Sequence, residues 1–403
     1  MIRIITFATA LVALLPKLEA VEQVSILDVP DYHWHQGCFG TASGNLAGFW
    51  DRHGLPNLYT GPTNGGLAPL NSNGENDSIV ALWASRAGLD GRPSDKPGHS
   101  DDYYVGYEYA GPDPYLVEGR VEHEPDCLGD FIGLNQNKWT NQNGECDGNI
   151  DGYSFVYWDV EGNRRHNFYP QLPDGEPTAD IPSGLKRWSA WRGYDVDVYS
   201  QLADVNPNIE SEKGFTFDDY KREIDSGYPV LLFMQPYDQK HRSVGGRDKV
   251  NPDIHGMLGY GYFIDPSGRR FVRFRTSWAS GDNQFGEWND QNWTPSGQLN
   301  HPLRGVIAFH PKPQITHIER RNNSLLLQWA GPSSKVLDAL SGISRSAQWY
   351  VVESSNELVA ETFQPITEPS DQRQAQIPIA DQQNRFFRVR IVADPSLNIL
   401  PNR

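Results

Sequence analysis

The most regular pattern of apolar and polar positions begins at Thr216. Residues 216–225 open with a residue type that caps helices and carry acidic side chains in the first turn, which predicts a short helix. Gly227 marks the end of this helix, and residues 230–234 form a continuous apolar run. The run predicts a buried strand directly after the helix.

Two further strands are predicted beyond His255. Residues 257–264 are largely apolar, and residues 265–268 have the composition of a turn. Residues 270–278 then alternate between apolar side chains and arginines, which is typical of a strand with one buried face. A helix followed by antiparallel strands indicates an α+β domain.

Small residues dominate the segment after Cys38. Residues 39–50 combine Gly, Ala and Ser with large apolar side chains, which predicts a helix packed closely against its neighbours. Gly54 ends that helix, and another helix is predicted over residues 185–191. Residues 60–180 are rich in loop-forming residues.

The pattern changes near Pro311. Residues 324–329, 349–353 and 386–392 alternate in the manner of strands, and residues 335–340 are the stretch with helical character. Short strands separated by turns predict a small all-β sandwich.

The length and charge of the chain limit its class. With 403 residues the chain is too long for one ordinary hydrophobic core, so we expect two domains, at residues 21–311 and 312–403. The formal net charge of −16 argues against binding to nucleic acid or to an anionic membrane surface, because both need clustered Lys and Arg.

Residues 1–20 have the organisation of a signal peptide. Arg3 gives a positive start, residues 4–15 are largely apolar, and Ala20 is a small residue at a suitable cleavage position. The apolar run is too short to span a bilayer stably. The sequence therefore predicts a secreted, periplasmic or extracellular protein with no integral membrane segment in its mature form. An uncleaved anchor or a buried N-terminal helix is the alternative.

The chain contains three cysteines. In an oxidising compartment an odd number leaves one cysteine outside the disulfides. Cys127 and Cys146 lie in the same loop-rich region and are suited to a disulfide, which leaves Cys38 as a thiol.

Cys38 combines a nucleophilic atom with a suitable position. At the beginning of a helix, N–H groups and the positive end of the helix dipole lower the pKa of a thiol and stabilise an oxyanion. A lone cysteine is also commonly a buried, unreactive residue. Composition by itself leaves both interpretations open.

Three segments in order resemble the bacterial C39-like cysteine peptidases of the papain-like superfamily. They are residues 35–58, which surround Cys38, residues 217–232, and residues 255–262, which begin with His255. Together they cover residues 24–310 loosely. The resemblance implies a papain-like domain of a helix and an antiparallel sheet, with Cys38 as nucleophile and His255 as its base.

Two positions depart from that family's pattern. Papain-like enzymes orient the histidine with Asn or Asp at the end of the returning strand, where this chain has Thr276, which can accept a hydrogen bond. Asp282 and Asn283 are the alternatives. The oxyanion glutamine is expected at the place of Tyr32, so Gln36 or backbone N–H groups alone would fill that role.

A segment near residue 150 begins like a calcium-binding loop. Asp147, Asn149 and Asp151 place oxygen ligands at alternate positions, and Gly152 permits the sharp turn. Trp158 stands where the bidentate Glu of such a loop is expected. A structural Ca²⁺ site is one interpretation and an Asx-rich surface turn is the other, and no cofactor is expected to be required.

These observations together predict a thiol hydrolase, and a cysteine peptidase in particular, acting on a peptide or protein substrate. Cys38 would attack the carbonyl, and His255 would act as general base and acid. An inactive secreted binding or adhesion protein on the same scaffold and an acyl transferase are the alternatives. The C-terminal segment resembles fibronectin type III-like sandwiches in its strand spacing. Such domains usually bind a partner or act as spacers rather than catalyse, so a surface or protein partner is one expectation for this segment.

Overall fold

The structure of the protein is a computed structural model. It describes residues 21–33, 38–59, 67–71, 111–112, 128–132, 145–146, 165–166, 181–205, 214–234, 255–277, 283–289, 303–379 and 385–395. The predicted signal peptide at residues 1–20 lies outside these ranges.

The described part of the chain contains four α-helices and eighteen strands. The helices are α1 (Cys38–Arg52), α2 (Leu128–Ile132), α3 (Ile181–Trp191) and α4 (Phe217–Asp225). The strands are β1 (Glu22–Ile26), β2 (Gly111–Pro112), β3 (Glu145–Cys146), β4 (Arg165–His166), β5 (Val196–Leu202), β6 (Val230–Met234), β7 (His255–Ile264), β8 (Arg270–Arg275), β9 (Asn283–Glu287), β10 (Leu303–Pro311), β11 (Gln314–Arg321), β12 (Ser324–Ala330), β13 (Lys335–Asp338), β14 (Ile343–Ser346), β15 (Trp349–Ser355), β16 (Gln364–Pro365), β17 (Gln374–Pro378) and β18 (Phe386–Val392).

A ten-stranded sheet organises the first part of the chain. Its order is β14-β13-β1-β7-β6-β10-β5-β4, with β8 joined to β7 and β9 joined to β8. Neighbouring strands in this sheet pair antiparallel. A mixed structure with few helices and mainly antiparallel strands agrees with the predicted α+β class.

The helix predicted from Thr216 is confirmed as α4. Its first turn forms a capping box, in which Asp219 N donates to Thr216 Oγ1 at 3.0 Å and Thr216 N donates to Asp219 Oδ2 at 2.8 Å. These bonds satisfy N–H groups that have no partner within the helix, which is why the helix begins here. No helix in the described ranges is long and apolar enough to cross a membrane.

The helix predicted after Cys38 is confirmed as α1, and it lies in the core. Every residue of α1 except Arg52 is buried. Contacts between α1 and β7 place the helix against the main sheet. Burial on all sides explains why the sequence of the helix alternates small and large residues rather than showing one polar face.

Two three-stranded sheets, β11-β12-β17 and β16-β15-β18, form the C-terminal sandwich. Side chains from both sheets form a cluster separate from the core around α1, and its buried members are Leu327, Trp329, Tyr350, Val352 and Ile377. The rings of Trp329 and Tyr350 meet edge to face, with centroids 5.5 Å apart.

The hairpin β13–β14 belongs to the main sheet and not to the sandwich. β13 pairs with β14 on one side and with β1 on the other, where Leu337 lies opposite Ser25. The helix predicted at residues 335–340 is therefore wrong. A short apolar run fits either periodicity, and pairing with β1 favours the strand. Residues beyond the predicted boundary at 311 thus complete the first sheet.

Backbone hydrogen bonds also join the end of α1 to the sandwich. Gly331 N donates to Gly54 O at 3.1 Å, and Ser333 N donates to His53 O at 2.8 Å. These donors satisfy carbonyls at the C-terminal end of the helix. Gly54 has a φ of +114°, and a Cβ there would collide with the carbonyl oxygen of Gly331. The position requires glycine both for its conformation and for its space.

We expect Gly54→Ala to lower the free energy of unfolding by about 2–4 kcal/mol, because it adds a collision to the strain of a positive φ. Gly268 is the matched control, since it has a φ of +83° and nothing within 4 Å of a built Cβ. Gly268→Ala should cost about 1 kcal/mol. Denaturant unfolding of both variants measures the difference, and equal losses would show that the contact with Gly331 does not matter.

Candidate active site

The N-terminal end of α1 is positioned by a close approach to β7. Cys38 is the first residue of α1, and Phe39 packs on Gly256, the second residue of β7. A Cβ on Gly256 would collide with the Phe39 ring, so the helix reaches this distance only because the residue is glycine. The Phe39 ring also stacks on Phe233 of β6, with centroids 4.9 Å apart.

The Cys38 thiol contacts the backbone of β7 directly. Gly256 N lies 3.2 Å from Cys38 Sγ and donates a hydrogen bond to it. The residue is 7% exposed, and its side chain is a thiol and not part of a disulfide. The contact fixes the sulfur beside the first residues of β7.

The electrostatic state of the thiol differs from the sequence expectation. The helix N-terminus predicts a lowered pKa, but burial raises the pKa of Cys38 from 9.0 to about 11. The hydrogen bond from Gly256 acts in the opposite direction and does not offset the loss of water. At neutral pH this cysteine is therefore a protonated thiol in the resting protein.

His255 is the first residue of β7 and is next to the donor of that hydrogen bond. It pairs with Met234 across the sheet and is 3% exposed. Placement at the beginning of a buried strand restricts its backbone to one conformation. The structure therefore brings the predicted base to the same end of the sheet as the predicted nucleophile.

Thr276 lies at that end as well. β8 stops at Arg275, which pairs with Leu258, and Thr276 follows as a fully buried residue. Ser277 then turns the chain with a φ of +64°. Three predicted site residues, Cys38, His255 and Thr276, thus come from α1, β7 and the end of β8.

Several other predicted site residues fall in parts of the chain that the structure does not describe. Gln36, Asp282 and the proposed calcium ligands Asp147, Asn149 and Asp151 lie outside the described residues. Cys127, one of the two cysteines of the predicted disulfide, also lies outside them. In the described ranges no group of three or more His, Cys, Asp or Glu side chains is placed to hold a metal ion.

The positions of Asn283 and Tyr32 bear on the two departures from the family pattern. Asn283 begins β9 and pairs with Arg275, so its backbone lies beside the end of β8. Tyr32 is fully buried and its N–H donates to Asn45 Oδ1 of α1 at 2.9 Å. The residue at the expected glutamine position therefore packs against α1.

The sequence did not reveal the part played by Gly256. Its N–H is the donor that reaches the thiol, and its missing side chain is what allows α1 to approach. A glycine directly after the candidate base was the available signal. This glycine cannot be interpreted from the sequence, because its role depends on the packing of α1 against β7.

Two buried ionisable residues lie near the other end of α1. Ala68 N donates to Asp51 Oδ1 at 2.9 Å, and burial raises the pKa of Asp51 from 3.8 to about 6. His53 packs on the Phe49 ring with centroids 4.4 Å apart, and burial lowers the pKa of His53 from 6.5 to about 4. In both cases the buried environment disfavours the charged form of the side chain.

No protein-family model matches this chain, and no curated protein matches it. The resemblance to C39-like peptidases therefore rests on the sequence motifs.

The two shifted groups have opposite effects on the pH dependence of stability. Between pH 6 and 3.8 the folded state binds a proton at Asp51 that the unfolded state does not, so acidification stabilises the fold. Between pH 6.5 and 4 the unfolded state binds a proton at His53 that the folded state does not, so acidification destabilises it. Each contribution is about 3 kcal/mol, and they nearly cancel.

Single substitutions should separate these contributions. From pH 7 to pH 4.5, His53→Gln should become more stable relative to the wild type, and Asp51→Asn less stable. Denaturant unfolding at several pH values measures both slopes. Variants whose slopes equal that of the wild type would contradict the assigned pKa shifts.

Proposed function

We propose that the protein is a thiol hydrolase, and a cysteine peptidase in particular, with Cys38 as nucleophile and His255 as general base and acid. The observation that carries this proposal is the 3.2 Å hydrogen bond from Gly256 N to Cys38 Sγ. It brings the first residue of a buried helix next to the residue that follows His255. Nucleophile, base and helix N–H groups at one place are what acyl transfer from a peptide requires.

The reaction would proceed in two stages, acylation of Cys38 and hydrolysis of the resulting thioester. His255 accepts the thiol proton as Cys38 Sγ bonds to the carbonyl carbon of the substrate, and N–H groups at the start of α1 stabilise the oxyanion. The carbon–nitrogen bond then breaks, and the proton passes from His255 to the leaving amine. Water, deprotonated by His255, attacks the thioester, and the proton returns to the departing sulfur of Cys38.

The raised pKa of Cys38 affects the first stage. Because burial keeps the thiol protonated, the proton has to leave as the sulfur attacks, instead of being lost beforehand. The reaction would therefore depend strongly on His255. Thr276 supports this role as the residue at the end of β8 that is suited to hold the imidazole by accepting a hydrogen bond.

A secreted binding or adhesion protein without catalysis is the second candidate function. The burial of Cys38 and the pKa of about 11 favour it, because both suppress the thiolate. In that case the papain-like arrangement would be a scaffold, and the sandwich would bind the partner. Under either function we propose secretion, on the basis of the signal-like residues 1–20.

We expect Cys38→Ser and His255→Ala each to reduce peptide hydrolysis by at least about 1000-fold, because nucleophile and base act as a unit. The double variant should lose little more than either single variant. A library of fluorogenic peptides measures kcat/KM. Thr276→Asn, which introduces the residue of the family pattern, should leave hydrolysis intact or raise it.

The control for this experiment is unfolding by denaturant, which should show that the variants remain folded. Hydrolysis that survives in Cys38→Ser would contradict the assignment of the nucleophile. A folded wild type that hydrolyses no peptide in the library would favour the binding function.

A further inference from the structure

One buried ion pair joins two parts of the candidate site. Arg275 is the last residue of β8, and its Nη1 lies 3.4 Å from Asp31 Oδ2. Its Nη2 donates to the carbonyl oxygen of Val29 at 2.7 Å. The guanidinium also lies over the Tyr260 ring, 4.7 Å from the centroid. The side chain is therefore held on several sides.

The segment that Arg275 holds is docked on the nucleophile helix. The N–H of Tyr32, the residue after Asp31, donates to Asn45 Oδ1 of α1, and the Asn45 side chain is fully buried. Asp31 N also donates to Leu70 O at 2.8 Å. Residues 29–32 thus lie between the helix that begins with Cys38 and the end of β8.

The pair is buried, which distinguishes it from a surface salt bridge. The side chain of Asp31 is 2% exposed and that of Arg275 is 16% exposed. A carboxylate with so little access to water needs its cationic partner, and a guanidinium offers a fixed planar geometry. The ion pair therefore fixes the position of residues 29–31 relative to the end of β8, in addition to its electrostatic attraction.

We propose that Arg275 and Asp31 are a positioning pair for the thiol site. They hold the segment docked on α1 against the strand end that carries Thr276. This proposal rests on the proposed function in one respect, since it assigns Thr276 and Cys38 to the same reaction. The pair touches neither the substrate nor the reacting atoms, so neither residue is catalytic.

Arg273 provides a matched control on the same strand. It also lies over the Tyr260 ring, at 5.2 Å, and its Nη1 donates to the hydroxyl of Ser25 at 3.3 Å. Replacing it removes the same charge and a similar stacking contact. It leaves the link between β8 and Asp31 in place.

The first measurement is peptide hydrolysis by Arg275→Met, Arg275→Lys and Arg273→Met. We expect Arg275→Met to lower kcat by about 10- to 100-fold through misplacement of the site. KM should stay within about twofold, because no contact with the substrate is removed. Arg275→Lys should recover part of the loss, and Arg273→Met should keep kcat within about twofold of the wild type.

The second measurement is the rate at which iodoacetamide labels Cys38 at pH 8. Loosening the segment beside α1 should admit water to a thiol that burial now keeps near a pKa of 11. Since the thiolate fraction grows tenfold for each unit by which the pKa falls, labelling of Arg275→Met should rise by up to about 100-fold. Arg273→Met should label like the wild type.

The two measurements test the proposed function and the positioning pair independently. A wild type without hydrolysis would overturn the proposed function, whereas the labelling rates would still test the pair. Equal labelling of Arg275→Met and Arg273→Met would overturn the positioning pair, whatever the hydrolysis shows. If Arg275→Met does not fold, Asp31→Asn serves in its place, because it removes the charge and keeps the size of the side chain.

Discussion

The approach of α1 to β7 is the constraint on which the rest of the site depends. At this point Phe39 occupies the space that a side chain on residue 256 would fill, and the Gly256 N–H reaches the sulfur of Cys38. The approach brings the beginning of the helix to the beginning of the strand. The end of β8, which carries Thr276, and residues 29–32 are joined to each other by the ion pair between Arg275 and Asp31.

Burial of α1 changes the ionisation of the side chains that it carries or that lie next to it. α1 is enclosed almost completely, so its stability comes from packing and not from helix propensity. The same enclosure raises the pKa of Cys38 and shifts the pKa values of Asp51 and His53 away from their charged forms. A nucleophile in this setting would rely on its base at the moment of attack, whereas an exposed thiol at a helix N-terminus would ionise beforehand.

Local chemistry made much of the fold predictable. The cap at Thr216, the apolar run at 230–234 and the strand after His255 are each specified by neighbouring residues, and each was confirmed. The hairpin at residues 335–346 was not predictable, because its pairing partner β1 lies at the other end of the chain.

The same distinction applies to the site. Cys38 and His255 were predicted as site residues from motifs. The ion pair between Arg275 and Asp31 depends on the register of β8 against β7 and on the path of residues 29–32, which the motifs do not contain. The pKa of Cys38 was predicted in the wrong direction. A helix N-terminus can be recognised in a sequence, but the degree of burial that outweighs it cannot.

The hairpin β13–β14 also affects the order in which the protein is completed during synthesis. β1 is among the first segments of the described chain to leave the ribosome, and its outer partner β13 is among the last. Until residues 335–338 emerge, one side of β1 remains an open edge, and such edges pair readily with other chains. A chain arrested or shortened after β10 would keep Cys38 and His255 and still carry that edge. Pairing with β13 closes this side of β1 and moves the edge of the sheet to the four-residue strand β14.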